Sequence, residues 1–208
     1  MYPLNRNRRL RSKQSLRNLI KESTIHPHDF IVPLFIIEGA HLKEEIPSMP
    51  NYFRYSLDIA KKEVKQLWNI GVQAVLLFVK VEDRLKDNSG TEAVNKNGLM
   101  QRAIKEIKSS VPEMTIMTDI ALDPYSSYGH DGIVINNKII NDQTNIILSE
   151  MALTHAEAGA DIVAPSDMMD GRILSIRKTL EDNSFFNTGI MSYAVKYASS
   201  FYGPFRDC

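Results

Sequence analysis

One lysine near the end of the chain stands in a setting that suits covalent chemistry. Lys196 follows Ala194 and Val195 and precedes Tyr197, so apolar and aromatic side chains surround it in the sequence. If the side chain points inward, partial desolvation favours the neutral amine, which can attack a carbonyl carbon and form a Schiff base. The alternative is a lysine whose stem covers apolar surface while its ammonium group reaches water, and the flanking residues alone favour this alternative.

A second lysine occupies a comparable position. Lys80 ends an apolar run, but Glu82 and Asp83 follow it closely and predict a solvated ion pair. Position in the sequence therefore does not decide between Lys80 and Lys196 as a nucleophile.

Carboxylates gather in a loop that begins at the end of another apolar run. Asp119, Asp123 and Asp131 could bind a cation through oxygen, transfer a proton or hold an amine by charge. Stabilisation of turns is the competing role for Asp123 and Asp131. His130 is interpreted as a loop hydrogen-bonding residue, because no second histidine stands at metal-ligand spacing. Further along, Ser166 could contact a substrate or cap the next helix, and the cap is the simpler interpretation.

These residues follow apolar runs that alternate with segments of helical periodicity, which is typical of a parallel sheet built from strand–helix units. Strands are predicted at residues 30–37, 74–79, 114–120, 161–164 and 189–195, and helices at 16–21, 57–69, 98–109, 142–158 and 171–180. The carboxyl ends of parallel strands share one side of the fold, so the reactive residues should converge there. The strands lack a glycine-rich phosphate-binding motif, which favours a (β/α) barrel over a dinucleotide-binding or P-loop fold.

The composition is that of an ordinary globular chain. The 208 residues are 43% hydrophobic, and 25 basic residues balance 25 acidic ones, which excludes disordered and collagen-like classes. Zero net charge argues against bulk capture of nucleic acid or membrane. The lone cysteine, Cys208, excludes a disulfide framework and is compatible with a reducing cytoplasm. No apolar run is long enough to span a membrane, and the first 25 residues lack a signal-peptide core.

Residues 1–25 are predicted to form a basic arm ahead of a barrel portion at residues 26–208. The first acidic residue of the chain is Glu22. The basic residues before it are Arg6, Arg8, Arg9, Arg11, Lys13, Arg17 and Lys21. A solvated or partner-packed extension is the favoured interpretation. Nucleic-acid binding is disfavoured, because no aromatic residues are interleaved with the basic ones.

Several long motifs resemble the delta-aminolevulinic acid dehydratase family, also called the porphobilinogen synthase family. The similar segments are Arg8-Arg9-Leu10-Arg11, Ile46-Pro47-Ser48-Met49-Pro50, residues 119–132, Asn141-Asp142, residues 155–161, residues 164–171, Lys196 and Tyr202-Gly203-Pro204-Phe205-Arg206-Asp207. The resemblance covers essentially the whole chain. It implies the α/β class and a parallel (β/α)8 TIM barrel with an extended N-terminal arm, present here through about the fifth strand.

The resemblance also implies an activity. Family members are hydro-lyases that condense two molecules of 5-aminolevulinate, with loss of water, into porphobilinogen for haem and other tetrapyrroles, without an organic cofactor. They use two lysine Schiff bases, and Lys196 matches the first, in the A-side site. Asp119 matches an aspartate beside the lysines, Ser166 a pocket serine, and Arg206 an arginine that grips a substrate carboxylate. The basic arm matches the extension through which family subunits form a homo-octamer, and a cytoplasmic location is expected.

The aspartate loop predicts which cation is used. Zinc-dependent members of the family carry three cysteines there, where this chain has Ala121, Asp123 and Asp131. Oxygen ligands suit hard cations, so the chain resembles the branch that uses Mg²⁺, often with a monovalent cation, and Zn²⁺ is not expected. Asp123 and Asp131 are the candidate metal ligands.

The number of predicted strands sets a further expectation. Eight parallel strands close a barrel and five do not, and the second Schiff-base lysine of the family, which forms the P-side site, is absent from the sequence. We therefore expect an amino-terminal fragment of the enzyme that is inactive alone. Two alternatives are a non-catalytic remnant or assembly module docked on a partner, and a Schiff-base barrel of the aldolase type. The aldolase type does not explain the aspartate loop or residues 202–207.

Overall fold

A mostly parallel sheet with helices packed against it organises the chain, and the computed structural model describes residues 1–197, 199, 200 and 203. The strands are β1 (Ile31–Ile37), β2 (Lys43–Glu45), β3 (Phe53–Tyr55), β4 (Ala74–Lys80), β5 (Thr115–Ile120), β6 (Val134–Ile135), β7 (Lys138–Ile139), β8 (Ile162–Pro165) and β9 (Gly189–Ile190). The helices are α1 (Gln14–Leu19), α2 (Leu57–Asn69), α3 (Leu99–Ser110), α4 (Asn141–Ala158) and α5 (Arg172–Asp182). Short 3₁₀ helices form at Asn7–Arg11, Pro27–Asp29, Asp83–Leu85 and Thr91–Val94.

The main sheet has the strand order β2-β3-β1-β4-β5-β8-β9. Six neighbouring strands of this sheet run parallel to one another: β3, β1, β4, β5, β8 and β9. Strand β2 pairs antiparallel with β3 at one edge. The longest pairing aligns β1 with β4 from Ile31 beside Ala74 to Ile37 beside Lys80. Strands β6 and β7 form a separate hairpin. The parallel α/β architecture predicted from the periodicity of the sequence is confirmed.

The two faces of the sheet have different surroundings, because successive side chains of a strand point to opposite faces. One face packs against the helices, where α2 contributes Val64, α3 contributes Ile104, and α4 contributes Leu148 to the core. Its fully or almost fully buried strand residues are Leu34, Ile36, Val75, Leu77, Ile116 and Val163. Burying one such side chain contributes about 1.5–3 kcal/mol, so this layer dominates the stability of the fold.

Helix α4 ends where the sequence predicts. Gly159 follows the helix with a positive φ of 108°, a conformation that favours glycine because it has no Cβ. The N–H of Gly159 bonds to the carbonyl oxygen of Ala156, and the N–H of Ala160 bonds to that of His155, so the last turn keeps its hydrogen bonds. The chain can then turn directly into β8.

The last strand of the sheet is shorter than the predicted strand at residues 189–195. Only Gly189 and Ile190 pair as a ladder with β8, which itself ends at Pro165. The chain nevertheless continues alongside β8 as far as Tyr193, since the N–H of Met191 bonds to the carbonyl oxygen of Val163 at 2.9 Å and that of Tyr193 to the carbonyl oxygen of Pro165 at 3.1 Å. Proline has no N–H to return the second bond of a ladder, which explains the short strand.

The residues of the basic arm lie outside the core. The 3₁₀ helix at Asn7–Arg11 and helix α1 contain no buried residue, and residues 1–25 are exposed apart from the half-buried Leu16 and Arg17. Among the described residues, none of the helices has the length and apolar character needed to cross a membrane.

Candidate active site

The face of the sheet opposite the helices lines an open cleft of about 1550 Å³. Phe35 from β1, Phe78 from β4 and Met117 from β5 provide apolar lining. Polar groups follow towards the carboxyl ends of the strands, where Asp119 and Ser166 line the same cleft. The convergence expected of parallel strand ends is therefore present.

Lys196 enters this cleft from the segment that follows β9. Its Nζ donates a hydrogen bond of 2.7 Å to the backbone carbonyl oxygen of Ser166 and lies 3.6 Å from Oδ2 of Asp131. The side chain is 27% exposed, so most of it is covered while the residue keeps contact with solvent. The structure thus directs Lys196 towards the cleft, which is itself open to solvent.

Asp119 is buried at the end of β5, with 7% of the residue exposed. Burial, together with the charges of Asp123 and Asp131, raises its pKa to about 7. A hydrogen bond from the Ser166 hydroxyl and the positive charge of Lys196 act in the opposite direction. Its Oδ1 atom makes no hydrogen bond with a described residue. Asp119 is consequently present in both its protonated and charged forms near neutral pH, which suits a proton donor and acceptor.

Asp123 and Asp131 are neighbours in the loop between β5 and β6. Desolvation inside the cleft and the adjacent Asp131 carboxylate raise the pKa of Asp123 to about 6, and the two carboxyl groups share a hydrogen bond. Asp123 is exposed to solvent, whereas Asp131 is buried, with 9% of the residue exposed. When Asp123 loses its proton, the two carboxylates concentrate negative charge beside Lys196.

Hydrogen bonds hold the aspartate loop in place. Asn88 binds Val134 in both directions, donating from Nδ2 to its carbonyl oxygen and accepting its N–H at Oδ1, each at 2.9 Å. The N–H of Ile133 donates to the Thr144 hydroxyl at 3.0 Å. His130 accepts a hydrogen bond from the N–H of Gly132 at Nδ1, in agreement with its predicted role within the loop. The loop is thus fastened to α4 and to the segment after β4.

The donor chemistry of Asp123 and Asp131 fits a hard cation. Carboxylate oxygens are ligands that Mg²⁺ accepts, and Mg²⁺ usually retains several water molecules, so two protein ligands suffice. A bound cation would also offset the repulsion that raises the pKa of Asp123. Within residues 1–197, 199, 200 and 203, no three His, Cys, Asp or Glu residues are grouped to hold a metal ion. The described part of the chain therefore offers a pair of ligands.

Ser166 lies immediately after β8, and the structure rules out the helix cap considered for it. Helix α5 begins only at Arg172, with Gly171 at the N-cap position. Ser166 is 8% exposed and offers its carbonyl oxygen to Lys196 and its hydroxyl to Asp119. It joins the two candidate catalytic groups.

A buried ion pair supports the loop that carries Ser166. Asp167, 2% exposed, accepts the N–H of Met169 at 2.8 Å, and its Oδ2 lies 3.1 Å from Nε of Arg172. The N–H of Asp170 donates to Oδ1 of Asn141 at 2.7 Å, which fastens the loop to α4. These contacts fix the backbone on which the Ser166 carbonyl is presented.

Tyr193 is a cleft residue that the sequence pattern did not single out. It lies three residues before Lys196, and burial and the charge of Asp119 raise the pKa of its phenol to about 12. The phenol is therefore neutral at physiological pH and can donate a hydrogen bond. The sequence could have indicated this residue, because Tyr193 lies in the predicted strand at residues 189–195, directly before Lys196.

Two further predictions concern positively charged side chains, Arg206 and Lys80. Arg206, the candidate for gripping a substrate carboxylate, lies outside the described residues. The ion pair predicted for Lys80 is wrong, because the structure pairs Glu82 with Arg84 and Asp83 with Lys86. Of the predicted site residues, Lys196, Asp119, Ser166, Asp123 and Asp131 come together.

Known proteins share this fold and sequence over almost the whole chain. Residues 4–208 match the family model for delta-aminolevulinic acid dehydratase. The delta-aminolevulinic acid dehydratase of Bacillus subtilis (strain 168) is 47% identical over 203 residues, which are 98% of this chain and 62% of the relative. The Ruminiclostridium josui protein of the same name is 47% identical over 204 residues, 98% of each chain.

A solved structure from Toxoplasma gondii ME49 supports the same relationship. It is a delta-aminolevulinic acid dehydratase (porphobilinogen synthase) in complex with the reaction product porphobilinogen, and it superposes with a TM-score of 0.93 at 45% identity. The match covers 98% of this chain and 58% of that chain. The predicted barrel class is confirmed for the part of the fold that the chain covers, and the chain spans about three fifths of the length of several of these relatives.

Proposed function

Because the chain belongs to the delta-aminolevulinic acid dehydratase family, we propose that it serves the condensation of two 5-aminolevulinate molecules into porphobilinogen for tetrapyrrole biosynthesis. The observation that carries the proposal is the placement of Lys196 beside Ser166 and Asp131, in the cleft that Asp119 also lines. A lysine and a buried carboxylic acid in one cleft are the groups that Schiff-base chemistry with a ketone needs.

Lys196 is the nucleophile of the proposed reaction. Its neutral amine attacks the ketone carbon of 5-aminolevulinate, which forms the C–N bond while a proton moves from nitrogen to oxygen. The hydrogen bond from Nζ to the Ser166 carbonyl orients the amine, which lowers the entropic cost of a productive approach.

Asp119 handles the proton of the next step. In its protonated form it donates a proton to the departing hydroxyl, which leaves as water, and the iminium ion remains on Lys196. The resulting carboxylate then stabilises the positive charge of the iminium. A pKa of about 7 lets one group perform both tasks, since the proton is easily given and easily regained.

Mg²⁺ is the proposed cation, with Asp123 and Asp131 as its ligands. The supporting observation is the adjacency of two carboxyl groups that raises the pKa of Asp123. When bound, the ion supplies positive charge that keeps both carboxylates ionised near Lys196. Calorimetric titration with Mg²⁺ tests the assignment, since Asp123→Asn should weaken binding at least tenfold while Asp182→Asn on the surface should not. Equal binding by wild type and Asp123→Asn would contradict it.

Assembly and location extend the proposal. The exposed arm carries apolar side chains, including Leu4 and Leu19 at 80% exposure each, which supports packing against other subunits in a homo-octamer. A cytoplasmic location is part of the same proposal, and the single cysteine of the sequence is compatible with it.

Borohydride reduction in the presence of 5-aminolevulinate tests the proposed function. Reduction converts the Schiff base into a stable secondary amine, and peptide mass mapping should place this adduct on Lys196. Lys196→Arg keeps the charge but cannot form the imine, so the adduct should disappear, whereas Lys62→Arg on the surface should label normally. An adduct found on Lys80 and never on Lys196, or no adduct at all, would overturn the proposal.

A further inference from the structure

The first turn of helix α4 lies between the two loops that contact Lys196. Lys196 meets the aspartate loop at the carboxylate of Asp131, and it meets the loop at residues 166–171 through the carbonyl oxygen of Ser166. A lysine side chain is long and flexible, so it does not fix these loops by itself. The position of its amine therefore depends on what holds the two loops relative to each other.

Thr144 is fully buried in this turn of α4 and binds the aspartate loop. Its hydroxyl accepts a hydrogen bond from the N–H of Ile133 at 3.0 Å and donates one to the carbonyl oxygen of Ile140 at 2.7 Å. Ile133 is buried and lies two residues after Asp131. Because a buried N–H without an acceptor is costly, the Thr144 hydroxyl fixes the backbone of the loop close to this carboxylate.

Two asparagines of the same turn bind the other loop, at the main chain of Asp170. Asn141 accepts the N–H of Asp170 at Oδ1, at 2.7 Å, and donates from Nδ2 to its carbonyl oxygen at 3.1 Å. Nδ2 of Asn145 donates to the same carbonyl oxygen at 2.7 Å. Three hydrogen bonds therefore fasten the loop at residues 166–171 to the turn that contains Thr144.

The two loops also approach each other directly beside Thr144. A Cβ atom added to Gly132 would lie 3.1 Å from Cε of Met169 and 3.3 Å from the hydroxyl oxygen of Thr144, both closer than ordinary van der Waals contact. Gly132 directly follows Asp131, and Met169 belongs to the loop at residues 166–171. The missing side chain of the glycine thus allows the loops to meet, and Thr144 lies at their junction.

We propose that Thr144 is a positioning residue for the Schiff-base reaction, acting on Lys196 through the loops that carry Asp131 and Ser166. The inference rests on the proposed function, in which Lys196 attacks the ketone of 5-aminolevulinate. Thr144 is not among the described residues that line the cleft, so it acts without touching the substrate. Misplacement of a nucleophile slows the covalent step more than it weakens binding.

Timing of imine formation in two Thr144 variants tests the proposal. Thr144→Val keeps the branched shape but has no hydroxyl, whereas Thr144→Ser retains the hydroxyl. Samples mixed with 5-aminolevulinate are quenched with borohydride at intervals, and the adduct on Lys196 is measured by peptide mass spectrometry. The rate at saturating 5-aminolevulinate should fall roughly tenfold in Thr144→Val and recover to within about twofold of wild type in Thr144→Ser. The half-saturating concentration should change less than about twofold in either variant.

Thr154 provides a matched control on the same helix. Its buried hydroxyl accepts a hydrogen bond from Nε2 of Gln101 at 3.0 Å and donates one to the carbonyl oxygen of Met151 at 2.9 Å. Thr154→Val removes the same kind of group at a contact with α3 instead of the loops, so it should lose stability but form the imine at the wild-type rate. Urea unfolding gives the folded fraction by which each rate is divided. Equal corrected rates in Thr144→Val and Thr154→Val would overturn the proposal.

Acylation of Lys196 in the absence of 5-aminolevulinate separates this inference from the proposed function. Loosened loops should expose the amine, so an amine-acylating reagent should modify Lys196 roughly threefold faster in Thr144→Val than in wild type. Thr154→Val should leave this rate unchanged, and Lys62 serves as the internal standard. Unchanged acylation together with normal imine formation in Thr144→Val refutes the role of Thr144 alone. Absence of the imine in the wild-type chain refutes the proposed function, and the acylation rates then still decide whether Thr144 positions Lys196.

Discussion

The Nζ atom of Lys196 donates a hydrogen bond of 2.7 Å to the backbone carbonyl oxygen of Ser166. This contact joins the segment after β9 to the end of β8, two parts of the chain that are 30 residues apart. The hydroxyl of the same serine bonds to Asp119 and lowers its pKa against the effect of burial. One residue therefore orients the amine through its main chain and adjusts the acid through its side chain.

Replacing Ser166 by alanine should alter the acid while leaving the orientation of the amine intact. The variant loses the hydrogen bond to Asp119, so the pKa of Asp119 should rise above about 7, but the carbonyl that receives Lys196 remains. The rate of Schiff-base trapping falls when Asp119 loses its proton, so the basic limb of the pH profile should move to higher pH. Profiles of trapping rate against pH for Ser166→Ala and the surface variant Ser109→Ala provide the measurement. Superimposable basic limbs would contradict the link between Ser166 and Asp119.

Asp119 should make the folded chain less stable as the pH rises. The folded state holds its proton up to about pH 7, whereas the unfolded carboxyl loses it near pH 3.8, so the folded state binds more protons between these values. The free energy of unfolding should fall across this window through Asp119, by roughly 4 kcal/mol in total. Asp119→Asn removes this contribution. Urea unfolding at pH 5 and pH 8 should show a smaller loss for Asp119→Asn than for wild type, and a surface Asp182→Asn variant should behave like wild type.

His155 should make the folded chain less stable as the pH falls, which is the opposite of the pH dependence expected from Asp119. The side chain is fully buried under the sheet, where Nδ1 lies 3.0 Å from the Thr118 hydroxyl and Nε2 has no partner among the described residues. Burial lowers its pKa to about 3, while the unfolded histidine binds a proton below about pH 6.5. Its contribution to the free energy of unfolding should therefore fall by about 1.4 kcal/mol for each pH unit below 6.5.

His155→Gln tests this contribution, since the amide can still reach Thr118 and does not titrate. The difference in free energy of unfolding between wild type and the variant should shift in favour of the variant as the pH falls from 6.5 to 4.5. The exposed His28→Gln variant serves as the control. A difference that stays constant over this range would show that His155 is not buried in neutral form.

Removing only the cation of the Asp167–Arg172 ion pair should lower the free energy of unfolding more than removing both charges. Arg172→Met leaves the buried Asp167 carboxylate without its cation, which should cost about 3–5 kcal/mol of the free energy of unfolding. The double variant Asp167→Asn with Arg172→Met lacks the unpaired charge and should recover part of that loss. Chemical denaturation of the three proteins supplies the numbers, and a cost below about 1 kcal/mol for Arg172→Met would show that the pair does not support the loop.

Long apolar runs made most of the sheet predictable. The runs at residues 74–79 and 114–120 correspond to β4 and β5, and helix α2 begins and ends where its periodicity predicts. Strands β2 and β3 were missed because three residues are too few to show a period, and the Lys-Glu-Glu of β2 is polar throughout. The hairpin of β6 and β7 had a readable signal in Asn136 and Asn137, whose positive φ angles match the turns that join such strands.

The residue types of the candidate site were predictable from the sequence, whereas the ion pairs between its side chains were less so. Strand ends identified Asp119, Ser166 and Lys196, because parallel strands deliver them to one side. The ion pairs of Lys86 and Arg84 were not predictable, since side chains of the same loop offer several pairings that only the backbone path decides between. Arg54 was not predicted as a cleft residue, because the short strand β3 on which it lies was not predicted either.

Thr118 and Asp119 are consecutive residues of β5 that face opposite sides of the sheet. Thr118 contacts His155 of α4 in the core, and Asp119 lines the cleft, so a single peptide unit separates the packing layer from the reactive one. A shift of α4 that tilts this peptide displaces the carboxyl group as well. A substitution in the core beneath α4 can therefore change the position of the Asp119 carboxyl group without touching the cleft.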